Sequence, residues 1–280
     1  MPKSTTGTLK VPGATLHYET RGSGPVLLLI PGGAADAGLY AGIAADLAAH
    51  YTVVSYDPRG LSRSTLDGPL TDQRVDVWSD DAHRLLELLS PGEEARVLGS
   101  SSGAIVALDL LARHPERLRR VVAHEPPLLE VLADPAPHRR LFAEVRETFR
   151  RDGAGPAMAR FSEGLGGERQ AERATELPPE IQEMAPRMHA NLPVFLEHML
   201  CPFSSTAPDV AALRRAGDRL VLAAGRDSRE QEPLYGPARR LAELLGGEVA
   251  EFPGGHVGVT QHPKEFAEQL LELFLAPSEK

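Results

Sequence analysis

The sequence predicts an α/β protein in which a mostly parallel sheet is covered by helices on both faces. Two observations support this fold class. Short apolar runs of strand length alternate with stretches that repeat apolar residues at helical spacing, and this alternation stops near residue 127 and resumes near residue 216. The chain of 280 residues is long enough for one large domain with an insertion. We therefore predict a core domain of residues 1–126 and 216–280 and a helical lid of residues 127–215.

The first half of the chain supplies most of the predicted strands. A hairpin is predicted over residues 7–19, with its turn at Gly13. The apolar run Val26–Ile30 is typical of a strand that is covered on both faces. Helices and strands then alternate along the chain: a helix at 39–50, a strand at 51–56, a helix at 75–89, a strand at 95–98, a helix at 104–114 and a strand at 121–123.

The second half begins with residues 127–215, where the pattern is helical and predicts no strand. This segment holds four of the five Met and five of the eight Phe: Met158, Met184, Met188, Met199, Phe142, Phe149, Phe161, Phe195 and Phe203. The alternation then resumes with a strand at 219–224, a helix at 236–245 and a strand at 248–252. A last helix carries an apolar stripe of Phe266, Leu270, Leu273 and Phe274.

Charge and composition exclude several classes of protein. A formal net charge of −9 argues against a nucleic-acid-binding face, which would need clustered Lys and Arg. No apolar run approaches the roughly 18 residues of a membrane span, and residues 1–10 lack the apolar stretch of a secretory signal. The single cysteine, Cys201, excludes an internal disulfide and favours the cytoplasm. We expect a monomer or homodimer that acts on a small molecule.

No cofactor is expected, because the sequence holds neither a G-x-G-x-x-G nor a Walker motif for a nucleotide. Asp80, Asp81 and His83 could suggest a metal site. Their side chains do not share one face of the helix predicted there, and no second group of ligands follows. No metal site is therefore predicted.

The motif G-x-S-x-G occurs at residues 99–103, between a predicted strand and a predicted helix. A serine hydroxyl needs such a tight turn to be presented to a base, and the helix N-terminus places backbone N–H groups beside a developing oxyanion. Ser101, the central residue, is the predicted nucleophile. The alternative is that Ser101 only caps the helix.

A serine nucleophile needs a base, and the base needs an acid that orients it. His256 lies in a Gly-rich loop after the last predicted strand and is the predicted base, while Asp227 follows the preceding strand and is the predicted acid. Loops after parallel strands open on the same edge of the sheet as the serine turn. One alternative stays open at the end of the strand at 121–123, namely His124 as the base.

These motifs resemble the α/β-hydrolase superfamily, in the group with a helical lid after strand six of an eight-stranded sheet. The resemblance covers nearly the whole chain outside the lid. It rests on Gly99-Ser100-Ser101-Ser102-Gly103, on Asp57-Pro58-Arg59-Gly60 with Ser64, on Gly225-Arg226-Asp227 and on Gly254-Gly255-His256. The order serine, acid, histidine along the chain is that of the superfamily's catalytic triad. Some members place the acid after strand six, so the resemblance also implies Glu125 as the alternative to Asp227.

The resemblance also implies an oxyanion hole. The superfamily carries a His-Gly-x turn after strand three, and the x residue donates a backbone N–H. Here the turn is Pro31-Gly32-Gly33, so Gly33 stands at x and Pro31 replaces the histidine. Because that histidine helps to shape the turn, the donor is either Gly33 or Ala34. The backbone N–H of Ser102 is the expected second donor.

The combined prediction is a serine hydrolase of the carboxylesterase or lactonase type that forms an acyl-enzyme. The Met and Phe side chains of the lid favour a hydrophobic, mid-sized acyl substrate. Members of the superfamily that open epoxides or dehalogenate carry aspartate at the position of Ser101, which disfavours those reactions. The alternatives are hydrolysis of C–C bonds or thioesters, or a non-hydrolytic biosynthetic catalyst or ligand receptor on the same fold.

Overall fold

The computed structural model describes residues 4–166 and 179–276. The strands of these residues form one sheet. Its strands are β1 (Thr5–Val11), β2 (Ala14–Arg21), β3 (Val26–Ile30), β4 (Thr52–Tyr56), β5 (Thr65–Leu66), β6 (Ala95–Ser100), β7 (Leu118–His124), β8 (Leu220–Gly225) and β9 (Ala250–Phe252). Their spatial order is β1-β2-β4-β3-β6-β7-β8-β9, with β5 paired to β2. Every pairing from β4 to β9 along this path is parallel, whereas β2 pairs in antiparallel fashion with its neighbours. The predicted α/β fold with a mostly parallel sheet is confirmed, and only the two-residue β5 lies outside the predicted eight strands.

Helices cover both faces of this sheet. The helices of the described residues are α1 (Ala41–Leu47), α2 (Val75–Leu89), α3 (Ser102–Arg113), α4 (Ala136–Asp152), α5 (Ala154–Gly164), α6 (Pro179–Val194), α7 (Leu200–Ser204), α8 (Val210–Ala216), α9 (Tyr235–Leu245), α10 (Gly258–Gln261) and α11 (Pro263–Leu275). Successive residues of β3 point to opposite faces, as the period of a strand requires. Leu28 packs in the core beneath α2 and α3, while Leu27 packs in the core beneath α1 and α11.

The helices α4 to α8 lie between β7 and β8, where the sequence predicts the lid, and α8 extends one residue past the predicted lid end at 215. Residues 167–178 of that predicted lid lie outside the described residues. Pro193 near the end of α6 is followed by a π-helical turn at Phe195–Met199, and Pro is a common cause of such local irregularity. The described part of the segment 127–215 contains no strand, and its division from the core at residues 126 and 216 stays a prediction.

The parallel strands place four loops at one edge of the sheet. The carboxyl ends of β6, β7, β8 and β9 lie side by side there, so Ser101, Glu125, Asp227 and His256 all begin from the same edge. No helix within residues 4–166 and 179–276 is both long enough and apolar enough to cross a bilayer.

Candidate active site

Ser101 occupies a strained turn between β6 and α3. Its backbone has φ of 55° and ψ of −125°, a conformation that non-glycine residues rarely adopt outside functional sites. A Cβ atom at Gly99 would lie 2.4 Å from the carbonyl oxygen of Gly103, and a Cβ atom at Gly103 would lie 2.2 Å from the carbonyl oxygen of Ile30. Only glycine fits at these two positions, and this is the physical reason for the pattern G-x-S-x-G around Ser101.

Gly32 packs directly against the serine turn, since a Cβ atom there would lie 2.2 Å from the carbonyl oxygen of Ser100 and 2.8 Å from Cβ of Ser101. We expect Gly32→Ala to lower the free energy of unfolding by about 1–3 kcal/mol, because the clash involves backbone that cannot move aside. Gly247→Ala is the control, because a Cβ atom there has no neighbour within 4 Å. Urea unfolding of both variants is the measurement, and equal stability would contradict the expectation.

His256 joins Ser101 to a buried carboxylate. Its Nε2 atom lies 3.1 Å from Oγ of Ser101, and its Nδ1 atom lies 2.6 Å from Oε2 of Glu125. An ionised carboxylate can only accept a hydrogen bond, so Nδ1 carries the proton and Nε2 is left to accept one from the serine hydroxyl. The side chain of His256 is 20% exposed, whereas that of Glu125 is fully buried. The structure thus brings the predicted nucleophile and the predicted base together.

Glu125 is held in place by both of its oxygen atoms. While Oε2 faces His256, Oε1 accepts the backbone N–H of Gly225 at 2.8 Å. Burial alone would raise the pKa of Glu125, but the hydrogen bond from His256, its electrostatic interactions with His256 and His124, and the Gly225 N–H outweigh burial and hold this pKa below its usual range. The side chain therefore stays an anion beside the imidazole. Its backbone φ of 47° turns the chain at the end of β7 so that the carboxylate faces this site.

Asp227, the acid predicted from the order of the motifs, does not hold the place beside Nδ1 of His256, which belongs to Glu125. Asp227 lies in a short 3-10 turn, Arg226–Ser228, and is exposed. Its backbone N–H donates to the carbonyl oxygen of Gly254 at 2.9 Å, so this residue links the loops after β8 and β9 through its main chain. The structure therefore places the alternative acid, Glu125, and not the predicted Asp227 beside Nδ1 of His256, while the role of orienting acid stays a prediction.

His124, the alternative base, does not lie beside the hydroxyl of Ser101, where Nε2 of His256 is found. Its imidazole is buried against the rings of Phe252 and Phe266, with ring centroids 5.8 and 5.4 Å away. Burial lowers the pKa of His124 to about 4, which keeps the ring neutral. Only its backbone reaches the serine turn, where its carbonyl oxygen accepts the N–H of Ser101 at 2.9 Å.

The two predicted oxyanion donors lie next to each other. Gly33 has φ of +60°, and its N–H donates to Oγ of Ser102 at 2.8 Å. The backbone N–H of Ser102 belongs to the first turn of α3, where helical N–H groups have no partner within the helix. Ala34, the other candidate donor, presents its carbonyl oxygen to the side chain of Asn191. The structure therefore brings Gly33 and Ser102 together, and it adds a side-chain contact between them that the sequence did not predict.

An apolar pocket opens beside Ser101 and His256, and its wall is formed mostly by the lid. The residues of the predicted lid that line it are Pro127, Phe142, Phe161, Phe195, Met199, Leu200, Phe203 and Ser204. The ring of Phe161 lies 5.6 Å from that of Phe142 and 5.9 Å from that of Phe195, measured between centroids, so three aromatic rings form one continuous surface. The described residues that line this pocket include no Asp, Glu, Lys or Arg. The π-helical turn supplies Phe195 and Met199 to this wall.

A polar contact ties the lid to the loop that carries Gly33. Arg187 of α6 binds the buried carboxylate of Asp36 through Nε and Nη2, the latter at 3.2 Å from Oδ1. Asn191, one turn further along α6, donates from Nδ2 to the carbonyl oxygen of Ala34 and to Oγ of Ser62, both at 2.9 Å. Its Oδ1 accepts the N–H of Ser62 at 2.8 Å. The sequence carried no signal for these contacts, because 151 residues separate Asp36 from Arg187.

The sequence and the fold are similar to those of known hydrolases. The family model described as "alpha/beta hydrolase fold" matches residues 25–225. The chain is 39% identical over 272 residues to the uncharacterized hydrolase YraK of Bacillus subtilis, covering 95% of each chain. It is 27% identical over 278 residues to a zearalenone hydrolase of Bionectria ochroleuca, covering 96% of this chain and 97% of that one. Among solved structures, a thermophilic esterase from Thermogutta terrifontis is similar in fold, with a TM-score of 0.72 and 16% identity over 98% of both chains.

Proposed function

The chain belongs to the α/β-hydrolase family, and from that premise we propose that it is a serine hydrolase that cleaves a carboxylic ester or a lactone of a neutral, hydrophobic substrate. The observation that carries this proposal is the continuous hydrogen-bond chain from Ser101 through His256 to Glu125, placed at the mouth of the apolar pocket. A serine in such a chain is a nucleophile for acyl transfer.

The first half of the reaction forms an acyl-enzyme. His256 takes the hydroxyl proton of Ser101 through Nε2 as the oxygen attacks the carbonyl carbon of the substrate. Glu125 holds the imidazole in the tautomer that can accept this proton and stabilises the imidazolium that results. The tetrahedral intermediate collapses when His256 donates the same proton to the leaving alkoxide. From an ester the alcohol departs, and from a lactone it stays attached to the acyl group.

The second half returns the free enzyme. His256, neutral again, removes a proton from a water molecule that attacks the acyl carbon, and the proton then passes back to Oγ of Ser101. No step calls for a bound cofactor. The covalent intermediate divides one difficult hydrolysis into two acyl transfers that use the same base.

The apolar pocket supports a neutral and hydrophobic substrate. Aromatic and Met side chains provide its wall, so apolar surface of a substrate is removed from water there, at roughly 25 cal/mol per Å². A charged acyl group would be desolvated without an ion-pair partner from the described wall residues, which is costly. The name of the relative from Bionectria ochroleuca makes zearalenone one reasonable substrate to test.

The experiment is labelling with a fluorophosphonate probe, combined with a panel of substrates. We expect the probe to modify Ser101, located by peptide mass spectrometry, and Ser101→Ala to remove both the label and the hydrolysis. The panel contains p-nitrophenyl esters of increasing acyl length, simple lactones and zearalenone. Activity should rise as the neutral acyl group becomes larger than acetyl. A wild-type protein that takes no label and hydrolyses nothing in the panel would instead favour a receptor or a non-hydrolytic catalyst.

A further inference from the structure

Ser102 contacts the expected oxyanion donor and also lines the apolar pocket. The N–H of Gly33 donates to Oγ of Ser102 at 2.8 Å, and Ser102 is one of the residues that line the pocket together with Ser101 and His256. Ser102 is only 5% exposed, so its hydroxyl makes its hydrogen bonds with protein groups and with whatever occupies the pocket. A backbone N–H has one hydrogen, and here that hydrogen is directed to the serine side chain.

A hydroxyl that accepts one hydrogen bond still has its own proton to donate. Within residues 4–166 and 179–276, the structure shows no protein acceptor for the O–H of Ser102. A donor that is polarised by another donor behind it is a stronger hydrogen-bond donor, because hydrogen bonds in a chain reinforce one another. The O–H of Ser102 is therefore prepared to donate to an oxygen atom in the pocket.

We propose that the Ser102 hydroxyl is itself a donor of the oxyanion hole and relays the Gly33 N–H to the reacting oxygen. This inference rests on the proposed function. As Oγ of Ser101 bonds to the carbonyl carbon, the π electron pair moves onto the carbonyl oxygen and the serine proton moves to Nε2 of His256. The resulting oxyanion accepts hydrogen bonds from the N–H and the O–H of Ser102. When the intermediate collapses, the pair returns to the carbonyl, and Ser102 has neither gained nor lost a proton.

The alternative is that the Gly33 N–H leaves Ser102 and binds the oxyanion directly. The two arrangements predict opposite results for Ser102→Ala. If the hydroxyl donates, its removal lowers kcat by about 10²- to 10³-fold with KM changed less than threefold, which is the effect of losing one oxyanion donor. If Gly33 donates directly, removal of the hydroxyl frees its N–H, and kcat stays the same or rises.

The experiment compares Ser102→Ala, Ser102→Thr and Ser79→Ala with the wild type. Ser79 is a fully buried serine of α2 outside the site, so Ser79→Ala controls for loss of a buried hydroxyl. Steady-state kinetics on the best substrate of the panel give kcat and KM, and thermal unfolding shows that each variant is folded. We expect the low kcat only in Ser102→Ala, with Ser102→Thr, which retains a hydroxyl, closer to the wild type.

The rate of fluorophosphonate labelling provides a second readout, because the phosphoryl oxygen of the probe enters the same hole as the oxyanion. Ser102→Ala should label about as much more slowly as its kcat is lower, while Ser101 remains the labelled residue. An unchanged or higher kcat in a folded Ser102→Ala variant overturns the inference and leaves the proposed function intact. Failure of the wild type to label at Ser101 overturns the proposed function itself.

Discussion

Glu125→Gln lowers kcat by about 10³- to 10⁴-fold, whereas Asp227→Asn leaves kcat within about twofold of the wild type. The expected loss is of the size seen when the carboxylate of a serine triad becomes an amide. Glutamine has nearly the same shape as glutamate, so the effect does not come from lost packing. It comes from the hydrogen bonds that the replacement amide must make on its two sides.

The backbone N–H of Gly225 fixes the orientation of the side-chain amide in Glu125→Gln. It donates to Oε1 of Glu125 at 2.8 Å, so the oxygen of the replacement amide is required on that side. The NH₂ group then faces Nδ1 of His256, where the carboxylate oxygen was. An amide donor there favours the tautomer with its proton on Nε2, which cannot accept the proton of Ser101. The imidazolium that forms during attack also loses its negative neighbour.

Steady-state kinetics on a p-nitrophenyl ester measure both variants, and thermal unfolding shows that each is folded. Asp227→Asn removes the same charge one loop away, so it is the matched comparison for Glu125→Gln. A large loss of kcat in Asp227→Asn with near-normal kcat in Glu125→Gln would mean that Asp227, and not Glu125, orients the imidazole of His256. Equal, modest losses in both would mean that neither carboxylate orients the imidazole.

The choice between these two acids shows what the sequence could and could not predict. The alternation of strands and helices predicted the edge of the sheet at which the candidate site lies, and G-x-S-x-G with a Gly-rich histidine loop indicated Ser101 and His256, which the structure brings together. Both acids follow a strand that ends at that edge; the order of the motifs favoured Asp227, and the resemblance to the superfamily kept Glu125 as the alternative. The local sequence held a weak signal. Asp227 stands in a charged run, Arg226-Asp227-Ser228-Arg229-Glu230, which is typical of a solvated loop.

Glu125, in contrast, comes directly after the buried strand β7 and before two prolines. A carboxylate in such an apolar position needs a partner, and this requirement favours a functional role. What the sequence could not give is the distance from each carboxylate to His256, which depends on the φ of 47° at Glu125 and on the extra methylene of glutamate. The contact of Ser102 with Gly33 and the contacts of α6 with the Gly33 loop likewise depend on side-chain geometry across long chain separations.

The second large effect concerns the tie between the lid and the loop that carries Gly33. We expect Arg187→Met to lower the free energy of unfolding at pH 7 by about 3 kcal/mol. Removing one partner of a buried ion pair costs about 3–5 kcal/mol, and the low end applies because the Arg187 side chain is 34% exposed while Asp36 is fully buried. Methionine keeps much of the length and apolar surface of the arginine stem, so the loss reflects the unpaired carboxylate.

The dependence of this loss on pH distinguishes an electrostatic cause from a packing defect. Burial would raise the pKa of Asp36, but the hydrogen bonds from Arg187 and Ser62 outweigh burial and hold the pKa below its ordinary value of 3.8. In the wild type, Asp36 therefore stabilises the fold above pH 3.8 and loses that contribution as the pH falls through its lower, folded-state pKa. In Arg187→Met the hydrogen bond that opposes the effect of burial is lost, so the pKa of Asp36 rises. The ionised carboxylate of Asp36 then lowers the free energy of unfolding at neutral pH.

The difference in stability between the two proteins should therefore be largest at neutral pH and shrink steadily as the pH falls toward and below 3.8. Urea unfolding at a series of pH values measures it. Arg151→Met is the control, because its partner Asp152 is the adjacent residue and the pair is exposed, so its unfolding midpoint should match the wild type at every pH. A deficit in Arg187→Met that stays constant with pH would assign the effect to packing. A deficit that vanishes in acid means that the charge of Asp36 holds the lid helix against the loop from which Gly33 reaches the serine turn.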